Sequence, residues 1–287
     1  MVDSVHAARA NLLALAAIAL WASLSTLGVQ LAAVPPFLLT GLGLLVGSVW
    51  SWPYWRAWRV RPSALALGIY GLFGFHFLLF IALRTAPPVQ ANLVNYLWPL
   101  LIVVLAPAML SGVRLRPAHL IGAIMGFVGA ALAILGGHDA GHAGPVWAWG
   151  YLPALGSAVV WSTFSLGSRR LADRGHGFPT AAIGLFGVIS GVLALGCHAL
   201  FEVPVHLSGG QLARIVVLGL GPLGGAFYLW DRALKTGDPR SIGVLSYLTP
   251  LASTVLLVWV TGRSIGPMLV AAALLIVGSA GLALRAS

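Results

Sequence analysis

Residues 92–99 read NLVNYLWP and set two amides, a phenol, an indole and a proline inside an apolar run. Asn92, Asn95 and Pro99 fall three and four positions apart, which puts them on one face of a helix. Amides do not belong against lipid, so Asn92 and Asn95 either bond a neighbouring helix or hydrogen-bond a ligand. Tyr96 and Trp98 add a hydroxyl and a large ring. Pro99 withdraws one backbone donor and frees a carbonyl near the middle of the run, which makes either a hinge or a fixed kink. The chemistry on offer is recognition by uncharged groups.

Other residues of the same kind lie elsewhere in apolar surroundings. SYLTPL at 246–251 repeats the pattern with Ser246, Tyr247 and Pro250. Trp21 and Ser25 stand in WASLS, and Trp161 and Ser165 in WSTFS, both far from the interfaces where tryptophan gathers. Their small hydroxyl neighbours either let helices approach closely or help wall a site, with indole for apolar side chains and hydroxyls for ammonium or carboxylate. His76 lies near the middle of GLFGFHFLLF, with Phe80 one turn on. An ionisable group at that depth bonds substrate or carries a proton; the alternative is a neutral ring satisfied by a backbone carbonyl. Tyr228 and Trp230 precede Asp231 and Arg232, which are expected to pair with each other. Of these, Tyr228 joins the candidate cavity.

The elements that must hold these residues are membrane helices. The chain has 287 residues, of which 59% are hydrophobic and 8% charged, whereas a soluble domain carries about 25% charged residues. Ten apolar runs approach the ~20 residues of a span: 10–29, 36–52, 64–83, 89–109, 118–136, 146–167, 179–200, 211–230, 241–260 and 266–284. Their length and near-continuous apolarity exclude a β-barrel. The first run resembles a secretory signal, but its partner in the second half of the chain argues that it stays. The single cysteine, Cys197, is read as a small buried hydrophobe, and neither a metal nor a cofactor is expected.

Net charge of +10 would suit nucleic acid, but the basic residues are scattered through short connections. With the N-terminus in the cytoplasm, 13 of the 16 Lys and Arg fall inside and only Arg84, Arg214 and Arg263 outside. Both termini are therefore expected in the cytoplasm, with a basic inner face against anionic lipid.

Residues 82–100 fall on 233–251 at an offset of 151, with eight of nineteen positions identical and Arg84 meeting Lys235. WASLS falls on WSTFS at an offset of 140. Residues 1–140 and 141–287 thus read as two copies of a five-helix unit. Five is odd, so the second copy enters the membrane from the opposite side. Such inverted repeats mark secondary transporters with a site near the midplane. Tyr96 has a match in Tyr247 and Trp98 has no aromatic match, so Trp98 suits recognition of one substrate. Gly43/Gly47, Gly122/Gly126 and Gly187/Gly191 read as packing within one chain, and the expected state is a monomer.

Ten helices in a five-plus-five repeat, a tryptophan in the first helix of each half and the ALxT…P…YLxPL junction resemble the drug/metabolite transporter superfamily, EamA branch. Within it, Asn95-Tyr96-Leu97-Trp98-Pro99 after Asn92 is similar to the bacterial exporters of aromatic amino acids. The resemblance implies an inner-membrane exporter with a cavity lined by helices 1, 3, 4, 6, 8 and 9.

Acidic and basic residues are missing from the centre of every run. A sugar phosphate would want a central cation and a lipophilic cation a buried carboxylate, so both substrate classes are disfavoured. A neutral amino acid fits an uncharged cavity, and efflux down a gradient fits the lack of a proton-carrying carboxylate. Export of another small metabolite or drug is the alternative. An enzyme is not expected: GRSIG at 262–266 matches G-x-S-x-G, but the hydrolase mechanism needs a strand-to-helix elbow. An intramembrane serine protease lacks a supporting motif, and a membrane scaffold remains the other rival. If Trp98 and Trp161 line a cavity, replacing either with alanine should cut transport at nearly unchanged melting.

Overall fold

A computed structural model describes residues 2–136, 149–261 and 266–286. Ten helical segments follow one another: α1 (Ala7–Gln30), α2 (Pro36–Trp58), α3 (Pro62–Thr85), α4 (Pro88–Met109), α5 (Pro117–Leu135), α6 (Tyr151–Asp173), α7 (Thr180–Phe201), α8 (Gly209–Thr236), α9 (Pro239–Val260) and α10 (Pro267–Arg285). Proline opens α2, α3, α4, α5, α9 and α10. In the first turn its missing N–H has no intrahelical partner to lose and its fixed φ suits the helix.

Among the described residues, nine of these segments are long and apolar enough to cross a membrane. The tenth, α6, has 23 residues, but Ser157, Ser162, Thr163, Ser165 and Ser168 lower its apolarity, and Arg169, Arg170 and Asp173 close it. Its expected start at 146 falls outside the described residues, as do residues 262–265 of GRSIG.

The helices pack by exchange between the halves. α1 lies along α8 and α9, while α6 lies along α3 and α4. α2 pairs with α7, α4 with α9 and α5 with α10. A membrane gives helices no hydrophobic drive toward each other, so close backbone approach must supply van der Waals contact. Gly47 shows how close: a Cβ there would fall 2.7 Å from the Gly224 Cα and 2.8 Å from two α8 carbonyls. At Gly126 of α5 the space is taken by the Tyr247 ring. These glycines face other helices of the same chain.

The same irregularities occur in both halves. α3 widens into a π-turn at Tyr70–Gly74 and α8 at Gly221–Gly225, again 151 residues apart. α4 breaks between Asn95 and Trp98, and α9 between Leu245 and Leu248. Pro99 therefore stands in the first turn of a restarted helix, where its lost N–H is of little consequence, and not inside a continuous one. Arg84 and Lys235, matched in the repeat, sit at opposite ends of α7. Arg84 bonds Glu202 just past its end, and Lys235 bonds the Phe178 carbonyl just before its start. The 22 residues between span about 33 Å at 1.5 Å per residue, close to the ~30 Å hydrocarbon core of a bilayer.

Candidate binding site

Four tryptophans from four helices meet at the centre of the bundle. Trp21 of α1 lies with its ring centroid 6.3 Å from Trp98 of α4, 5.9 Å from Trp161 of α6 and 5.2 Å from Trp230 of α8. Trp98 and Trp161 are 6.4 Å apart at 82°, and Trp98 and Trp230 5.5 Å apart at 87°. Edge-to-face geometry puts the positive rim of one ring on the negative face of the next. Phe227 sits 5.4 Å from Trp161 and 6.2 Å from Trp21. Phe75 and Phe164 close the far side of Trp161 at 5.3 and 5.6 Å. The rings fill the space between them, and Trp161 is only 3% exposed.

The irregular turns hold this cluster in place. A π-turn leaves a carbonyl without its usual i+4 amide partner and free for another donor. In α8 the Pro222 carbonyl of the π-turn accepts a hydrogen bond from Trp21 Nε1 at 3.1 Å. In α3 the Leu72 carbonyl accepts one from His76 Nδ1 at 2.6 Å. A carbonyl can only accept, so Nδ1 carries a proton and donates. Trp230 Nε1 donates to Ser165 Oγ of α6 at 3.1 Å. Each of these polar tips is satisfied, and the cluster itself carries no formal charge.

Of the residues singled out in the sequence, Trp21, Trp98 and Trp161 come together, and Ser165 lies beneath Trp230. His76 reaches the edge, 6.2 Å from Phe227. Phe80 stays beside His76 at 6.2 Å and packs edge-on against Phe37 of α2 at 5.6 Å. Asn95 is buried and its Oδ1 accepts from Ser157 Oγ of α6 at 2.8 Å, a bond between helices. Asn92 and Tyr96 are half-buried around the α4 break. Ser246 bonds back to the Gly243 carbonyl, and Tyr247 packs into a separate core with Ala130, Ala133 and Ile276. Tyr228 turns toward α2, donating to the Gly47 carbonyl at 3.4 Å. The side chain of Ser25 lies outside the described residues.

Two expectations are corrected. Asp231 pairs with Lys235 at 2.7 Å and Arg232 points outward. Neighbours on a helix project about 100° apart, whereas i and i+4 share a face. Cys197 is half-buried.

Phe227 and Trp230 were missing from the expected site. Their spacing of three was a usable signal, since it sets both rings on one face of α8.

Comparison with known proteins places the chain. A solved crystal structure superimposes with a TM-score of 0.87 at 40% identity, covering 96% of this chain and 98% of that one. The aromatic amino acid exporter YddG of Ancylobacter novellus is 43% identical over 282 residues, 96% of either chain. An uncharacterized transporter, YyaM, of Bacillus subtilis is 25% identical over 198 residues, 68% of this chain and 64% of that one. The sequence model of the EamA-like transporter family matches twice, over residues 8–135 and 148–285. With both halves of its all-helical bundle matched, the chain is a multi-pass membrane protein of the EamA-like transporter family.

Proposed function

We propose that this protein exports aromatic and other neutral amino acids across the bacterial inner membrane, as a carrier and not an enzyme. The observation that carries this reading is the uncharged cluster of Trp21, Trp98, Trp161, Phe227 and Trp230, drawn from both halves. An aromatic side chain entering it exchanges ring–ring contacts for similar ones, each worth about 0.5–1.5 kcal/mol. His76 offers a ring nitrogen at the edge of the cluster, and the rings themselves carry no formal charge to trap a zwitterion. The name of the Ancylobacter relative supports the substrate class.

The reading includes ten spanning helices as two inverted five-helix halves, 1–140 and 141–287, with both termini cytoplasmic and a monomer as the working unit. The twofold family match, the paired π-turns and the placing of Arg84 and Lys235 at opposite ends of α7 support it. Alternating access arises when each half unseals in turn, bending at the α4 and α9 breaks beside Pro99 and Pro250. Asn92, Asn95, Tyr96 and Phe80 then border the path.

Counterflow in proteoliposomes tests the reading. Vesicles loaded with unlabelled phenylalanine should accumulate labelled phenylalanine, with tryptophan, tyrosine and threonine competing and a nucleotide sugar not. Counterflow of the nucleotide sugar alone would refute the substrate assignment. An imposed pH gradient should leave the plateau unchanged if efflux is facilitated.

A further inference from the structure

The regular part of α2 ends at Gly47, and Ser48–Trp58 continues it as tighter 3-10 turns that kink at Tyr54, just after Pro53. α2 begins level with the end of α7, where Phe37 N and Leu38 N bond Glu202. Near the start of α7, Ser51 Oγ already fills the space a Cβ would take at Gly184. The residues after Ser51 therefore overhang α7, which itself matches the hydrocarbon core. They stand in the headgroup layer, before α3 opens at Pro62.

The inner side of this overhang is fastened. Trp50 Nε1 donates to the Leu220 carbonyl of α8 at 2.9 Å, Trp52 Nε1 to Ser48 Oγ at 3.1 Å and Trp58 Nε1 to Ser51 Oγ at 3.1 Å. Its outer side is uncovered: Trp50, Trp52, Tyr54 and Trp55 are 56–64% exposed. With their N–H groups already bonded, Trp50 and Trp52 present hydrocarbon outward. Tyr54 and Trp55 keep a hydroxyl and an N–H without a partner among the described residues. A hollow of about 340 Å³ lies here, walled by Pro53, Tyr54, Trp55, Arg56 and Ala57.

Arg56, Arg59 and Arg61 are exposed on the same segment. Between Asp3 and Asp139 the sequence has no acidic residue. Among the described residues none of the three guanidiniums meets a carboxylate, and Arg56 stands 5.9 Å from the Trp55 ring instead. Elsewhere Arg169 pairs with Asp173 and Arg240 with Asp238. We propose that Trp50–Arg61 docks the headgroup of an anionic phospholipid. The arginines hold the phosphate, for which the guanidinium fork is suited. The Tyr54 hydroxyl and the Trp55 N–H bond the glycerol level, and Trp50 and Trp52 lie along the acyl chains, as interfacial aromatics do. A free anion would use the arginines but not the exposed rings. Lipid binding here is independent of which solute is carried.

Native mass spectrometry of the detergent-purified protein, titrated with phosphatidylglycerol or with phosphatidylcholine of the same chains, tests the site. The first phosphatidylglycerol should bind about tenfold tighter or better. A cation facing an anionic lipid surface contributes a factor of about five. Arg56→Gln and Arg59→Gln should each weaken phosphatidylglycerol binding about fivefold, and replacing Arg56, Arg59 and Arg61 together about a hundredfold, with phosphatidylcholine unmoved. Arg174→Gln with Arg232→Gln removes two exposed charges elsewhere and should stay within about twofold of the parent. The single variants carry the test should the triple variant fail to fold. The docking site is overturned by folded Arg56 and Arg59 variants that bind phosphatidylglycerol like the parent, or by an equal loss in the Arg174 and Arg232 pair. Glycerol phosphate binding as tightly as the lipid would also overturn it, in favour of a free-anion site.

Discussion

Replacing Trp161 with alanine is the sharpest probe of the ring cluster. The indole touches Trp21, Phe75, Trp98, Phe164 and Phe227 at centroid distances of 5.3–6.4 Å and is 3% exposed. Truncating a buried tryptophan costs about 3–5 kcal/mol, transfer and cavity terms together. For a chain of this size each kcal/mol moves the midpoint by about 2–4 °C, so melting should fall by roughly 6–20 °C. That departs from the sequence reading, which took Trp161 for a cavity wall and expected melting to hold. Melting of the detergent-purified protein, followed by fluorescence, measures it. Trp161→Phe keeps a ring among the same five neighbours and should lose about a third as much, leaving a folded variant for transport assays. A fall under about 3 °C for the alanine variant would mean that the rings do not support one another.

Ser165→Ala should lower the midpoint by about 2–12 °C, because it strands the buried Trp230 indole N–H, a loss of about 1–3 kcal/mol; Trp230→Phe should remove most of the Ser165→Ala penalty in a double-mutant cycle. Gly47→Ala forces a methyl to 2.7 Å from the Gly224 Cα, where no side chain can yield, and should cost about 1–3 kcal/mol. Gly28→Ala meets nothing within 4 Å and should be tolerated, so equal losses at the two sites would contradict the packing. Tags at the two chain ends should be digested only from the cytoplasmic side of sealed vesicles, and protection of one end alone would break the inverted repeat.

The helices were legible because apolar runs of the right length end in proline, glycine and arginine, and the duplication was legible because 82–100 and 233–251 align without a gap. Trp21 and Trp161 could be placed at depth from their distance to the run ends. The π-turns were not legible. Each inserts one residue into a helical turn and rotates the downstream side chains by about 100°, so face assignments carried through Tyr70–Gly74 or Gly221–Gly225 go astray. Phe227 and Trp230 lie just beyond such a turn. The α4 break has the same effect on Asn92, Asn95 and Pro99, whose shared face assumed an unbroken helix. Asn95 proved to bond Ser157, a partner 62 residues away that no local pattern names.

The contact of α2 with α7 and α8 has a mechanical consequence. Where Gly47 meets Gly224 main chain rests on main chain, and around that point Leu223 fills the space over Gly43, Val46 that over Gly219, Leu195 that over Gly41 and Leu45 that over Gly191. Branched side chains seated over glycines are teeth in notches, and sliding one helix along the other would drive each of them out of its notch and against a neighbouring side chain. This contact is therefore suited to serve as a lock rather than a bearing.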